Sequence, residues 1–237
     1  MSRLHLIRHG QAMFLTDNYD RLSPLGTDQA RRVGLTLDAE DALPQRYLVG
    51  TLQRQQQTLD AMVDAANGVA APVVRDIAFN EFPFEAMMEQ QIERLKGSSD
   101  AVDRALIDFQ QAEDRAVQIR AVQRLLEFCI EDWVEKNRSD PAANIPTWEA
   151  FCTRVGRAIA ELQHKAASGS HIAVVSSGGV VAAVVAHVLG APPIAAARLC
   201  WRVNNASITQ LTFSTSRISL DHFNRVDHLP IAARTYR

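Results

Sequence analysis

Short apolar runs alternate along this chain with longer stretches whose apolar residues recur every three or four positions. That is the pattern of strands interleaved with amphipathic helices. Residues 3–7, with Leu4, Leu6 and Ile7, form the first run, which stops at Gly10. Turn formers follow at Asp17, Asn18, Tyr19 and Asp20. Ser23 and Pro24 then read as a cap and first residue of a helix. Its apolar face carries Leu25, Ala30, Val33 and Leu37, with Arg31 and Arg32 opposite. Residues 47–49 make a second strand, ended by Gly50. A helix from Leu52 turns Leu59, Met62, Val63 and Ala66 inward and stops at Gly68. Val73 and Val74 form a third strand, followed by a loop at 77–83.

Over 85–136 the strand signal disappears and charges become dense. Leu125, Leu126, Phe128, Cys129, Ile130 and Trp133 suggest amphipathic helices, with a turn at Gly97-Ser98-Ser99-Asp100. Thr147 caps the next helix, whose inward stripe is Phe151, Val155, Ile159 and Leu162. A strand at 172–175, a double glycine, a helix at 180–189 and strands at 208–213 and 218–220 complete the pattern.

This alternation predicts an α/β fold, a three-layer α/β/α sandwich with a mostly parallel central sheet. The whole chain, 1–237, reads as one domain with a helical insertion at about 85–140, expected to lie over one end of the sheet. Ligands of such sheets bind at the carboxyl ends of the strands. Arg8-His9-Gly10, Gly50 to Arg54, Asn80-Glu81 and Ser176 to Gly179 should therefore meet at one edge.

Composition narrows the partners. The 237 residues are 47% hydrophobic and 22% charged, an ordinary globular balance with a net charge of −2. Such a surface does not attract extended polyanions, so neither nucleic acid nor an anionic membrane is expected as partner. A small phosphorylated molecule needs only local arginines. Cys129, Cys152 and Cys200 are odd in number and contain no C-x-x-C pair, which points to buried thiols in a reducing compartment. The most apolar stretch, 172–189, is broken by Ser176-Ser177-Gly178-Gly179 into pieces too short for the ~20 residues of a membrane span. No signal-peptide core precedes the first strand, and the expectation is a cytoplasmic protein. Phosphate-loop, dinucleotide and H-E-x-x-H motifs are lacking, so no cofactor and no metal are expected. Trp201 or Phe213, if on an edge strand, would be the place for a homodimer contact, with core positions the default.

Chemistry concentrates where the strands stop. The imidazole of His9 is a nucleophile toward phosphorus when neutral. The charge of Arg8 beside it disfavours imidazolium, and its fork can hold phosphate oxygens. Arg54 opens a helix, where a phosphate would meet both a guanidinium and the positive helix end. Glu81, in Phe79-Asn80-Glu81-Phe82-Pro83, has apolar neighbours that would raise a carboxyl pKa and suit a proton donor. The backbone N–H groups of Ser177 and Gly178 form a turn that can take an anion. Phe82, Phe84, Met87 and Met88 could wall a pocket, though their spacing favours a packed helix.

Five segments then fall in order: L-I-R-H-G-Q-A at 6–12, L-S-P-L-G-T-D-Q-A at 22–30, G-T-L-Q-R-Q-Q-Q-T at 50–58, F-N-E at 79–81 and V-V-S-S-G-G at 174–179. N-A-S-I-T at 205–209 follows as a last core strand. Together they resemble the histidine phosphatase superfamily, also called phosphoglycerate mutase-like. The resemblance implies a phosphohistidine on His9, phosphate oxygens clamped by Arg8 and Arg54, and Glu81 as general acid and then as base toward water, without metal. It departs at Ser177, where the family places a second histidine. Ser177, helped by the N–H groups of Gly178 and Gly179, would supply the missing donor, or His222 or His228 would fold back into the pocket, or the enzyme would be slow or inactive. The leading expectation is a phosphomonoester hydrolase. A phospho-ligand-binding protein with weak or no turnover comes second, and a phosphomutase third.

Overall fold

A computed structural model of the chain describes residues 1–13, 20–66 and 71–236. The turn residues 17–19 and the expected helix stop at Gly68 lie outside these. Contacts divide the chain into two compact units, one formed by Met1–Glu81 with Cys152–Arg237, the other by Phe82–Phe151.

The first unit is built on a six-stranded sheet. In chain order the elements are β1 (Ser2–Arg8), α1 (Pro24–Ala39), β2 (Arg46–Val49), α2 (Gln53–Ala65) and β3 (Val73–Arg75). Helix α6 (Trp148–Lys165) begins within the second unit and is followed by β4 (His171–Ser176), α7 (Gly178–Val188), α8 (Pro193–Cys200), β5 (Ile208–Phe213) and β6 (Ile218–Arg225). The strand order is β3-β2-β4-β1-β5-β6. The first four strands run parallel, β5 is antiparallel to β1, and β6 is antiparallel to β5. The fold is thus the mostly parallel three-layer α/β sandwich that the alternation implies.

Helix α1 begins as its sequence dictates. Ser23 Oγ accepts from the Gly26 N–H at 3.0 Å, and Pro24 holds the first helical position. Ala30, Val33 and Leu37 then pack with Leu59 and Met62 of α2 on Ile7, Val49, Ala173 and Val175 of the sheet. Strand β4 is buried along its whole length, as a central parallel strand covered on both faces must be.

Three elements differ from expectation. Helix α8 was not anticipated; Pro192-Pro193 resembles a breaker, but Pro193 takes the first helical position, where its missing N–H costs nothing. Strand β6 runs on to Arg225, because an edge strand tolerates Asp221, His222 and Asn224, which hide the apolar alternation. The loop at 77–83 contains a 3-10 turn at Ile77–Phe79, capped by the Asp76 carboxylate. The edge-strand placement considered for Trp201 and Phe213 is not found. Phe213 is buried on the inner strand β5, and Trp201 ends α8, so neither lies on the edge strands β3 and β6.

The second unit contains α3 (Phe84–Leu95), α4 (Asp100–Gln111) and α5 (Arg115–Lys136). Ser99 caps α4, and Gly97 takes the left-handed backbone that the turn needs. Its core is an aromatic cluster in which the Phe82 ring lies 5.2 Å from Trp133 and 5.6 Å from Phe151. Trp148 joins it at 5.3 Å from both. Met87 and Met88 are buried beside it in α3, so these residues fill a core. Among the described residues no helix is long and apolar enough to cross a membrane.

Two glycines fix the loop after β1. A Cβ on Gly10 would stand 2.2 Å from the Gly26 carbonyl oxygen, and one on Gly26 would stand 2.1 Å from that of Gln11. Both collisions are with backbone, which cannot turn aside. Gly→Ala inside a helix ordinarily gains about 1 kcal/mol. Gly26→Ala is instead expected to lose about 3 kcal/mol through overpacking, measured by urea unfolding. A neutral or stabilising result would mean that α1 and the loop separate easily.

Candidate active site

The loop leaving β1 is held on every side. The His9 N–H donates to the Ser176 carbonyl of β4 at 2.8 Å, and the His9 carbonyl accepts from the Ala206 N–H at 3.2 Å and Asn205 Nδ2 at 3.3 Å. The Gly10 N–H reaches Thr58 Oγ1 on α2, and the Gln11 N–H reaches Gln29 Oε1 on α1. Asn205 is in turn bound by Thr235, whose hydroxyl also accepts from Gln29.

These bonds aim the imidazole of His9, which is buried. Its Nδ1 lies 2.7 Å from the Gly10 carbonyl, an acceptor only, so Nδ1 carries the proton. Nε2 therefore presents a lone pair, and Arg54 Nε donates to it at 3.2 Å. Burial, followed by the charges of Arg54 and Arg8, holds the imidazole well below its ordinary value of 6.5. His9 is neutral at pH 7 with its Nε2 facing a guanidinium.

Arg8 comes from the same strand end and is likewise buried. Its Nη1 donates to the Val203 carbonyl, and its guanidinium passes directly over Gly178. A Cβ there would lie 3.4 Å from Arg8 Cζ, so the glycine makes room for the arginine. Gly178 and Gly179 open α7, with Ser177 as its cap residue.

Two anion positions expected at helix ends are already occupied by carboxylates. Asp20 caps α2, accepting from the Gln53 N–H at 2.8 Å and the Arg54 N–H at 3.4 Å, and pairs with Arg54 Nη1 at 2.7 Å. The start of α2 is thus held by protein rather than open to phosphate; what Arg54 presents is its side chain. At α7 the Gly179 N–H donates to Glu81 Oε2 at 2.9 Å. Arg154 of α6 also acts on Glu81. Burial lowers the pKa of its guanidinium, and the charges of Glu81 and Asp76 oppose this. Its Nη2 donates to the Asn80 carbonyl at 2.6 Å. Phe79 and Phe82 are buried, but the Glu81 carboxylate is half-buried among polar partners, not in the apolar setting its sequence neighbours suggest.

Ser177 is fully buried, and its Oγ accepts from Gln55 Nε2 at 2.9 Å. Neither alternative histidine stands beside it. His222 is exposed on β6, and the His228 ring is bound to the Ala206 carbonyl at 2.9 Å.

The four strand ends therefore converge through direct contacts: His9 with Arg54, Arg8 with Gly178, Gln55 with Ser177, and Glu81 with Gly179. Asp20, Gln55 and Arg154 were not anticipated. Gln55 had a legible signal, since it shares the inward face of α2 with Leu59 and Met62, where a polar residue needs a partner. Among the described residues, no group of three or more side chains could hold a metal ion.

Comparisons with known proteins agree with this fold. The pattern of the histidine phosphatase superfamily (branch 1) matches residues 4–141 and 107–226. No curated protein sequence matches the chain. Among solved structures, a phosphoglycerate mutase from Bacillus anthracis superposes with a TM-score of 0.66 at 16% identity, covering 96% of this chain and 94% of that one. A putative alpha-ribazole-5'-P phosphatase from Escherichia coli gives 0.65 at 20% identity over 95% and 98%. A phosphoserine phosphatase from Entamoeba histolytica gives 0.63 at 16% over 97% and 100%. These likenesses carry the fold, and the family match spans nearly the whole sequence: the chain belongs to branch 1 of the histidine phosphatase superfamily.

Proposed function

We propose that this chain is a metal-independent phosphatase that hydrolyses a small phosphomonoester through a phosphohistidine on His9. The observation that carries this reading is the buried, neutral imidazole whose Nε2 lone pair faces Arg54 between two arginine-bearing strand ends. In the first step Nε2 attacks phosphorus while the bond to the leaving oxygen breaks. Arg8 and Arg54 take the phosphoryl oxygens, and Arg54 exchanges its bond to His9 for one to the substrate. Glu81 gives a proton to the leaving oxygen. In the second step Glu81, now a carboxylate, takes a proton from water as the water attacks phosphorus, and phosphate leaves His9. Its contacts with Gly179 and Arg154 suit that basic form.

A phospho-ligand-binding protein with little turnover is the second reading. Two observations favour it: serine at position 177, and the Asp20 carboxylate already paired with Arg54. The two readings separate in one experiment. Wild-type protein is mixed with a 32P-labelled phosphomonoester, quenched in alkali and mapped. The expected result is a base-stable, acid-labile label on His9. Saturable phosphate binding with neither label nor turnover would decide for the binding protein.

A further inference from the structure

We propose that Gln55 is a positioning residue that turns Ser177 into a hydrogen-bond donor to the transferring phosphoryl group. This rests on the phosphatase reading and concerns how the pocket works without a second histidine.

The orientation of the Gln55 amide follows from its neighbours. The Leu52 N–H can only donate, and it lies 3.3 Å from Oε1; the Phe79 carbonyl can only accept, and it lies 3.2 Å from Nε2. Nε2 therefore has one hydrogen left, and it points to Ser177 Oγ at 2.9 Å. Gln55 is fully buried, and Gly50 makes room for it: a Cβ there would stand 2.0 Å from Gln55 Oε1.

This leaves the Ser177 hydroxyl one role. Its oxygen already accepts from Gln55, so its own hydrogen must be donated elsewhere. Ser177 is fully buried and makes no hydrogen bond as a donor among the described residues. A buried hydroxyl lacking an acceptor is unfavourable, and such a group is completed by a ligand oxygen. The flanking residues indicate where that oxygen sits. Ser177 precedes Gly178, over which Arg8 lies, and Gln55 follows Arg54, which touches His9. A phosphoryl group between the two arginines is the acceptor that completes the network.

The geometry also bears on the simplest repair of the site. An imidazole at position 177 would enter a fully buried space already taken by the Gln55 amide. Ser177→His alone should therefore weaken the pocket, and Gln55→Ala/Ser177→His should recover it.

The test is vanadate binding by calorimetry, which needs no turnover, on wild type, Ser177→Ala, Gln55→Met and the double variant. Gln55→Met keeps the volume and removes the donor, and circular dichroism verifies folding. Ser177→Ala and Gln55→Met are each expected to weaken vanadate roughly 10- to 100-fold. The double variant should be no weaker than the worse single one, because Gln55 acts only through Ser177. Restored binding in Gln55→Ala/Ser177→His, beside weaker binding in Ser177→His alone, is the second expected result. Multiplying effects in the double variant, or full binding by Gln55→Met, would overturn the proposal while leaving the phosphatase reading intact. If wild type fails to bind vanadate at all, the phosphoryl pocket itself is refuted, and this inference falls with it.

Discussion

His9→Ala is expected to lower kcat/KM for p-nitrophenyl phosphate by roughly 10⁴- to 10⁶-fold, the loss seen when a nucleophile acting within a preorganised site is removed. Among the described residues the structure gives no substitute for it. The other buried or half-buried histidines among the described residues are bound elsewhere. His5 and His171 bind one another within the sheet, and His228 binds the Ala206 carbonyl. Phosphate binding should persist in the variant, because Arg8 and Arg54 are untouched. This separates lost chemistry from lost folding. The pH profile supplies a second check. His9 is already neutral well below pH 6.5, so kcat/KM should show no acid limb near that value. A variant retaining a tenth of the activity would move the nucleophile elsewhere, and a sharp limb at 6.5 would mean that burial and the two arginines do not act on His9 as described.

The framework of this site was legible in the sequence because its parts obey strong local rules. A short apolar run followed by Arg8-His9-Gly10, and another followed by Ser176-Ser177-Gly178-Gly179, read as strand ends, and these are the ends of β1 and β4. The cap at Ser23 and the stripe through Ala30, Val33 and Leu37 are likewise local. What escaped depends on distant partners. Asp20 reads as a turn residue until α2 is brought against it. Glu81 has apolar sequence neighbours, yet its partners in space are Gly179, 98 positions away, and Arg154. Ser177 appeared to be one lost imidazole, whereas the fold shows it as half of a pair with Gln55, 122 residues distant. All six strands were readable, and the one cut short, β6, lies at the sheet edge, where exposure removes the apolar constraint that makes the central strands readable.

Acid should unfold this protein steeply, and buried histidines are the reason. His5, His9, His171 and His228 are all held below 6.5, chiefly by burial, with His171 brought down to about 4. The geometry of one pair shows why protons are refused. His5 Nε2 donates to Gln210 Oε1 at 3.2 Å, so its Nδ1 accepts from His171 Nε2 at 3.1 Å. A proton added to His5 would set two N–H groups against each other in a buried space. In the unfolded chain these rings titrate near 6.5. Above that pH neither state binds the protons, and the stability is fully present. As pH falls below 6.5 the unfolded chain gains protons that the native fold excludes, and stability is lost progressively toward the folded values. Each such proton removes about 1.4 kcal/mol per pH unit. His9, held well below 6.5, and His171, brought down to about 4, together remove about 3 kcal/mol per unit near pH 5, and His5 and His228 add to this, against a total of about 5–15 kcal/mol for a typical fold. Urea-derived stability is therefore expected to fall steeply between pH 6.5 and 5. A His5→Leu/His171→Leu variant should lose at least the His171 share of that slope, about 1.4 kcal/mol per unit. A wild-type stability that stays flat from pH 7 to 5, or a double variant with an unchanged slope, would show that these rings are not held neutral by the fold.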